Sequence, residues 1–357
     1  MVVRQKEFNQ AVKAVSKVIN RKPHLAILAG IHFKFTPTEL ELTSTDLVAG
    51  IKVKIPLTAG ETAQANVIGR TLAETVAFFE QELTELELEE KCLILKNGRD
   101  KVKIPLLLEE YPDFQLPEKI NFSSISNNFW QYLEKKVAFA ASSDQARPVL
   151  TAILFNQQPE FKVVCTDGFR LVVYTPAKNN NLNLEKNLLL SRKSLQDVVS
   201  LLDDKSNPQL EFAYDRENEQ FLFRNQSFLY FSKTIVGNYP PFEKIIPLDF
   251  KTTAEFDKQI FAKNLSKAAI FSRLQSNTVN LKFSQEKLLF SADNSHEGSF
   301  SGEQALINFS GDEIEISFNI RYLQDFINTV NGEIISFACN DKNTPAAFSD
   351  PNDKKIT

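Results

Sequence analysis

Cysteine, histidine, methionine and tryptophan are all scarce: the 357 residues contain 3 Cys, 3 His, 1 Met and 1 Trp. Cys92, Cys165 and Cys339 are far apart and odd in number. They fit a reducing cytoplasm and buried small hydrophobes better than disulfides or a metal site. His24, His32 and His296 are too scattered for a metal site or a catalytic triad. Glycine is sparse as well, at 11 residues, and neither a P-loop nor a G-x-G-x-x-G run occurs. No apolar run reaches the roughly 18 residues that a membrane span requires. The opening MVVRQKEFNQ is charged and has no apolar core, so it does not read as a secretory signal. No net positive charge is available either. A formal charge of −4 argues against a simple basic nucleic-acid-binding protein, while leaving local basic patches open.

Apolar residues, by contrast, make up 43% of the chain, and 30 phenylalanines supply ample core material. The chain also repeats itself. Leu40–Asp46 reads LELTSTD, Phe161–Asp167 reads FKVVCTD and Lys287–Asp293 reads KLLFSAD. The closing Asp46, Asp167 and Asp293 are spaced roughly 120–130 residues apart, a domain-sized period rather than a solenoid one. Three similar domains are therefore expected, over residues 1–119, 120–248 and 249–357.

Each copy has two helical signatures. The first spans 5–22, with Phe8, Val12, Val15 and Ile19 on an apolar stripe and Lys6, Lys13, Lys17 and Asn20 on another face. Its counterparts are 126–142, where Lys135 and Lys136 lie outside the stripe of Phe129, Leu133 and Val137, and a segment near 262–275. In the latter, Leu265 and Ala269 are apolar and Lys263, Lys267 and Arg273 polar. The second signature runs Leu72, Thr75, Val76, Phe79; then Leu195, Val198, Val199, Leu202; then Leu323, Phe326, Ile327, Val330. Two residues before each leading leucine stands a base: Arg70, Lys193 and Arg321. A cation there opposes the helix dipole, so something other than helix stability is expected to place it.

The remainder alternates as short strands, for example 32–35, 101–104, 220–223 and 314–317. The expected class is α+β, with two helices packed on antiparallel sheets in each copy. Linkers are expected near Leu116–Ile120 and Ile246–Lys251, just after the paired signals EEYPDF at 109–114 and GNYPPF at 237–242. After Leu323 the third copy has about ten fewer residues than the others, so its last strand is expected to be missing and the C-terminus cut short.

These stretches together resemble the bacterial DNA polymerase III beta subunit, the sliding-clamp family. The resemblance is carried by PHLAILAGIHF at 23–33, STDL at 44–47, ARPVLTAILF at 146–155 and CTDGFRLVV at 165–173. GNYPPFEKIIP at 237–247 and ISFNIRYLQDFI at 316–327 add to it.

The resemblance implies three DNA-clamp domains per chain and a head-to-tail homodimer closing a ring of six. Such a ring encircles double-stranded DNA without reading its sequence. It tethers the DNA polymerase III alpha subunit, the clamp loader and other proteins with a clamp-binding motif. No catalysis, metal or cofactor is implied, and the location is cytoplasmic at the nucleoid. Candidate DNA-facing residues are Lys6, Lys13, Lys17, Lys22, Arg70, Lys135, Lys136, Pro148, Arg192, Lys193, Lys263, Lys267, Arg273 and Arg321. For any one lysine, plain solvation explains its place about as well as phosphate contact. The implied peptide pocket comprises Arg147, Leu150, Thr166, Gly168, Phe169, Arg170, Leu171, Pro240, Lys244, Ile245 and Tyr322. Here Phe169 departs from the polar residue common in the family, and Lys244 stands where some members have Arg. A greasy slot rimmed by cations suits apolar anchors with a polar or acidic flank. The implied dimer seam sets Val102 and Ile104 against Ile270 and Phe271.

Two rival readings are weaker. An enzyme could use the repeated aspartates, but turn-capping after a strand explains them better. A monomeric three-domain peptide scaffold would share the pocket without encircling DNA.

Overall fold

The computed structural model describes residues 1–357 except 21–22, 59, 113–119, 158, 177–181, 183, 185, 203–208, 248, 273–276, 295–297, 354 and 357. Two compact units emerge, Met1–Glu134 with Asn179–Ile235, and Lys135–Lys178 with Val236–Thr357. The helices are α1 (Gln5–Val15), α2 (Gly69–Ala77), α3 (Asn127–Lys136), α4 (Arg192–Val199), α5 (Lys258–Ser272) and α6 (Ile320–Thr329).

The first unit is organised by one antiparallel sheet of twelve strands. In spatial order it runs Val2–Arg4, Leu83–Leu88, Cys92–Asn97, Asp100–Leu107, Ala63–Ile68, Gly30–Phe35, Glu39–Thr45, Ala49–Pro56, Phe228–Lys233, Gln220–Arg224, Leu210–Asp215 and Ser123–Ile125. The join between the first and second sequence copies is a ladder from Ala49↔Ser232 to Val53↔Phe228. Phe8, Ala11, Val12 and Val15 bury one face of α1, while Lys6 and Lys13 stay exposed, as the 3.6-residue period requires. The buried Gln5 ties α1 to its neighbours. Its amide donates to Val76 O at 2.7 Å, and its oxygen accepts from Thr84 Oγ1 at 2.6 Å. Trp130 is fully buried among Phe129, Phe223 and Phe212, at ring separations of 5.1, 5.1 and 5.4 Å.

In the second unit, Ala152–Asn156, Lys162–Thr166 and Leu171–Tyr174 form an antiparallel meander. Two four-stranded sheets follow. One is ordered Asn308–Ser310, Thr252–Asp257, Ile334–Cys339, Ala347–Ser349; the other Gly298–Ala305, Lys287–Asn294, Thr278–Phe283, Ile314–Asn319. Helices α5 and α6 share a core with these sheets through Phe261, Leu265, Leu323 and Ile327. Phe283 and Phe337 stack within it at 3.9 Å.

The helices depart from the sequence reading. Helix α1 ends at Val15, where Ser16 Oγ turns back onto Val12 O at 2.6 Å. Helix α3 stops at Lys136 and gives way to a 3-10 turn, Ala138–Ala140. Among the described residues two strands follow α6, Ile334–Cys339 and Ala347–Ser349, which pair at Ser336–Ala338, whereas three follow α2 and three follow α4. Between these two strands the chain turns with Asn343 N donating to Asp341 Oδ1 at 2.7 Å and Thr344 N to Asp341 O. Ile356 then bridges to Tyr174.

Phe212→Ala is expected to destabilise the first unit by about 3–5 kcal/mol, through lost contacts and the cavity left beside Trp130. Urea unfolding followed by the emission of the single tryptophan checks this directly.

Candidate functional site: a braced turn and exposed basic helix faces

Two of the three repeated aspartates close the same device. After strand Glu39–Thr45, Asp46 Oδ1 accepts from Val48 N and Ala49 N at 3.0 and 2.7 Å. Thr45 Oγ1 accepts from Leu47 N at 3.0 Å and donates to Ala49 O at 2.7 Å. After strand Lys162–Thr166 the same bonds recur. Asp167 Oδ1 accepts from Phe169 N and Arg170 N at 2.9 and 3.0 Å. Thr166 Oγ1 accepts from Gly168 N at 3.0 Å and donates to Arg170 O at 2.6 Å. The residue after each aspartate has positive φ, 72° at Leu47 and 94° at Gly168. Glycine takes that backbone without strain, and leucine does not. The capping reading therefore holds for Asp46 and Asp167. Asp293 differs, since it lies inside a ladder opposite Ser299.

The repeated Tyr-Pro signals acquire a role here. Tyr111 Oη accepts from Thr45 N at 3.0 Å, and burial pushes its phenol up to about 12. Burial raises the Tyr239 phenol strongly, and the Thr166 backbone beside it acts in the opposite sense. Each tyrosine thus supports the turn of its own copy.

In the second unit the turn carries Arg170, whose guanidinium is held on every side. Nε donates to Asp167 Oδ2 at 3.1 Å, Nη1 to Asp325 Oδ2 at 2.7 Å and Nη2 to Phe139 O at 2.8 Å. It also lies over the Tyr322 ring at 4.6 Å and the Phe139 ring at 5.3 Å. A Cβ added to Gly168 would stand 3.5 Å from Arg147 Nη1, so Arg147 overhangs the turn. It is half exposed and bonds Asp144 at 3.1 Å. Leu150 and Leu171 are half-buried. Phe169 is 77% exposed, and Pro240, Lys244 and Ile245 are exposed too. Val149 packs so closely on Gly237 that a Cβ there would meet its methyl at 2.5 Å. The contacts therefore gather Arg147, Thr166, Gly168, Arg170 and Tyr322 at one place. Desolvation raises the Tyr322 phenol, and the nearby Asp167 carboxylate adds to it.

The candidate DNA-facing cations divide into distinct groups. Lys6, Lys13, Lys135, Lys263, Lys267 and Arg321 are exposed on their helices, and Pro148 is exposed at the start of a 3-10 turn. Lys17 and Arg192 are half-buried. Lys22 and Arg273 lie outside the described residues. Arg70 and Lys193 are exposed but paired one turn along their own helices, with Glu74 at 2.8 Å and Asp197 at 2.5 Å. A helix carboxylate one turn on thus accounts for two of the three bases that oppose the dipole.

Lys136 requires correction. It is 4% exposed and donates to Thr329 O at the C-terminus of α6, so it does not face outward. Burial lowers its pKa, with Asp353 and Asp350 acting in the opposite sense. The break in α3 after Lys136 accompanies this inward turn, and Lys258 caps the adjoining Val330 O at 2.5 Å.

Ile104 is corrected as well. It is fully buried opposite Leu93 in the core of the first unit, whereas Val102 is half-buried. Ile270 is 59% exposed, and Phe271 packs partly against the core under α5. Among the described residues, Asp100–Pro105 pairs only with Cys92–Asn97, and Gly298–Ala305 is the outer strand of its sheet.

Sequence reasoning passed over Asp325 and Phe139, both partners of Arg170. The signal for Asp325 was present. A base followed four residues later by an acid occurs at Arg70/Glu74, Lys193/Asp197 and Arg321/Asp325.

Three family models match in order along the chain. They are the N-terminal domain of the DNA polymerase III beta subunit over residues 1–117, the central domain over 124–241 and the C-terminal domain over 243–357. Among curated relatives, the beta sliding clamp of Halalkalibacterium halodurans is 28% identical over 366 residues, covering 96% of this chain and 93% of its own. That of Bacillus subtilis is 25% identical over 360 residues, covering 97% and 94%. The crystal structure of the Bacillus subtilis DNA polymerase sliding clamp superposes with a TM-score of 0.90 at 23% identity, covering 99% of this chain and 96% of that one. The Thermotoga maritima DNA polymerase III beta subunit gives 0.91 at 22% identity, covering 99% and 96%. No helix among the described residues is long and apolar enough to cross a membrane.

Proposed function

The chain belongs to the DNA polymerase III beta subunit family, and from that membership we propose that it is a DNA sliding clamp, a processivity factor without catalytic chemistry of its own. The observation that carries this is the unbroken series of three beta-subunit domains over nearly the whole chain. The three domains are taken as 1–119, 120–248 and 249–357.

Two chains join head to tail around double-stranded DNA, in the cytoplasm at the nucleoid. A tether must slide, so its hold on DNA has to be electrostatic, weak and blind to sequence. The exposed Lys6, Lys13, Lys135, Lys263, Lys267 and Arg321 suit that task. Lys17, Arg192, Arg70, Lys193 and Pro148 accompany them, while the buried Lys136 takes no part. Strand addition between the two open edges, Asp100–Pro105 and Gly298–Ala305, makes the seam, with Val102, Ile270 and Phe271 as its apolar contacts.

The DNA polymerase III alpha subunit, the clamp loader and other clamp-binding proteins dock by a short peptide. Their pocket is lined by Arg147, Leu150, Thr166, Gly168, Phe169, Leu171, Pro240, Lys244, Ile245 and Tyr322, with Arg170 bracing it from within. Exposed Arg147 and Lys244 supply the cationic rim for an acidic flank.

Retention on DNA tests the function. Protein loaded on nicked circular DNA should stay through a high-salt wash and leave when the DNA is cut to a linear form; retention on linear DNA would rule out sliding encirclement. Ile270→Asp combined with Phe271→Asp should convert dimers to monomers in sedimentation velocity, and an unchanged dimer would place the seam elsewhere. Leu171→Asp should reduce peptide binding at least a hundredfold by fluorescence anisotropy while leaving the dimer intact, because a buried-edge carboxylate replaces an apolar contact.

A further inference from the structure

Helix α6 breaks a pattern that its two counterparts keep. In α2 and α4 the base near the N-terminus bonds the acid one turn later, Arg70 to Glu74 at 2.8 Å and Lys193 to Asp197 at 2.5 Å. In α6 the same spacing sets Arg321 and Asp325 on one face. Asp325 instead reaches across to Arg170 Nη1 at 2.7 Å, on the turn after strand Lys162–Thr166. The equivalent turn in the first copy has Ala49 where Arg170 stands, and the residue before the leading leucine of α4 is Ser194 where α6 has Tyr322. Arginine, tyrosine and the diverted aspartate therefore occur together at one turn and are missing together from the other.

We infer that Asp325 is a positioning residue of the peptide pocket: it holds the Arg170 guanidinium over Tyr322 and so fixes the pocket's inner wall. The inference rests on the pocket reading given above. With Asp167 Oδ2 on Nε and Phe139 O on Nη2, the Asp325 bond gives every guanidinium nitrogen an acceptor. The group is thereby used as a rigid, planar strut between α6 and the turn. It is not a free cation for an acidic peptide, and that role falls to Arg147 and Lys244. The Asp325 side chain is 46% exposed and that of Arg170 18%. An ion pair this open to water adds little to folding stability, so its contribution lies in orientation.

The test uses the full chain and a fluorescein-labelled synthetic nonapeptide with Leu and Phe anchors, read by anisotropy beside the thermal midpoint. Asp325→Asn should weaken binding on the order of tenfold, the loss expected for one charge-assisted bond, with the midpoint unmoved. Asp325→Glu, which keeps the carboxylate, should recover most of the affinity. If Asp325→Asn binds like the parent while Leu171→Asp does not, the pocket stands and the strut is wrong. A loss that follows a fallen midpoint and is not rescued by Asp325→Glu would reduce Asp325 to a structural part and overturn the inference. If Leu171→Asp also binds like the parent, the pocket itself is misplaced and the inference falls with it.

Discussion

The ladder between Ala49–Pro56 and Phe228–Lys233 is the constraint on which the first unit depends. Each sequence copy, taken alone, ends in an open strand edge whose N–H and C=O groups must find partners. Pairing the first copy's edge to the second's satisfies both at once and yields one twelve-stranded sheet. A one-residue slip in this register would send Ile51, Val53, Tyr230 and Phe228 to the opposite face. Because those side chains are buried, the register is fixed by the core as well as by the backbone.

The same economy governs the turns. A Thr-Asp pair at the end of a strand saturates three backbone N–H groups within four residues, once in the first copy and again in the second. A tyrosine from the distant Tyr-Pro segment then backs each turn. Such a turn is a rigid platform, and what is mounted on it sets its use. The first copy mounts Leu47, Val48 and Ala49; the second mounts Phe169 and Arg170, and Arg170 finds Asp325 and Tyr322.

Helix α6 links this platform to the rest of the second unit. Its C-terminal carbonyls are capped by Lys136 and Lys258, and Asp350 accepts from the following Asn331 and Gly332 N–H groups at 3.2 and 2.9 Å. Favourable charge at the helix C-terminus thus fixes the element that carries Tyr322 and Asp325. Both lysines contribute to the fold, whatever cations the surface offers to DNA.

Much of this was legible in the sequence. The threefold period, the apolar stripes of α1 and α6, the strands at 32–35, 101–104, 220–223 and 314–317, and the capping aspartates of the first two copies all follow from local rules of spacing and turn chemistry. The family follows from the order of its motifs. Which cation is free and which carboxylate pairs with which base was decided only by the tertiary structure. Periodicity put Lys136 outside the apolar stripe of its helix, but the carbonyl of Thr329, 193 residues away, draws it inside. Alternation marked Ile104 as apolar without showing that Leu93 already covers it. Helical spacing sets Asp325 one turn after Arg321, whereas folding pairs it with Arg170. Local sequence fixes the face on which a side chain stands; its partner depends on which remote group folding delivers to that face, and no spacing rule within one element encodes that.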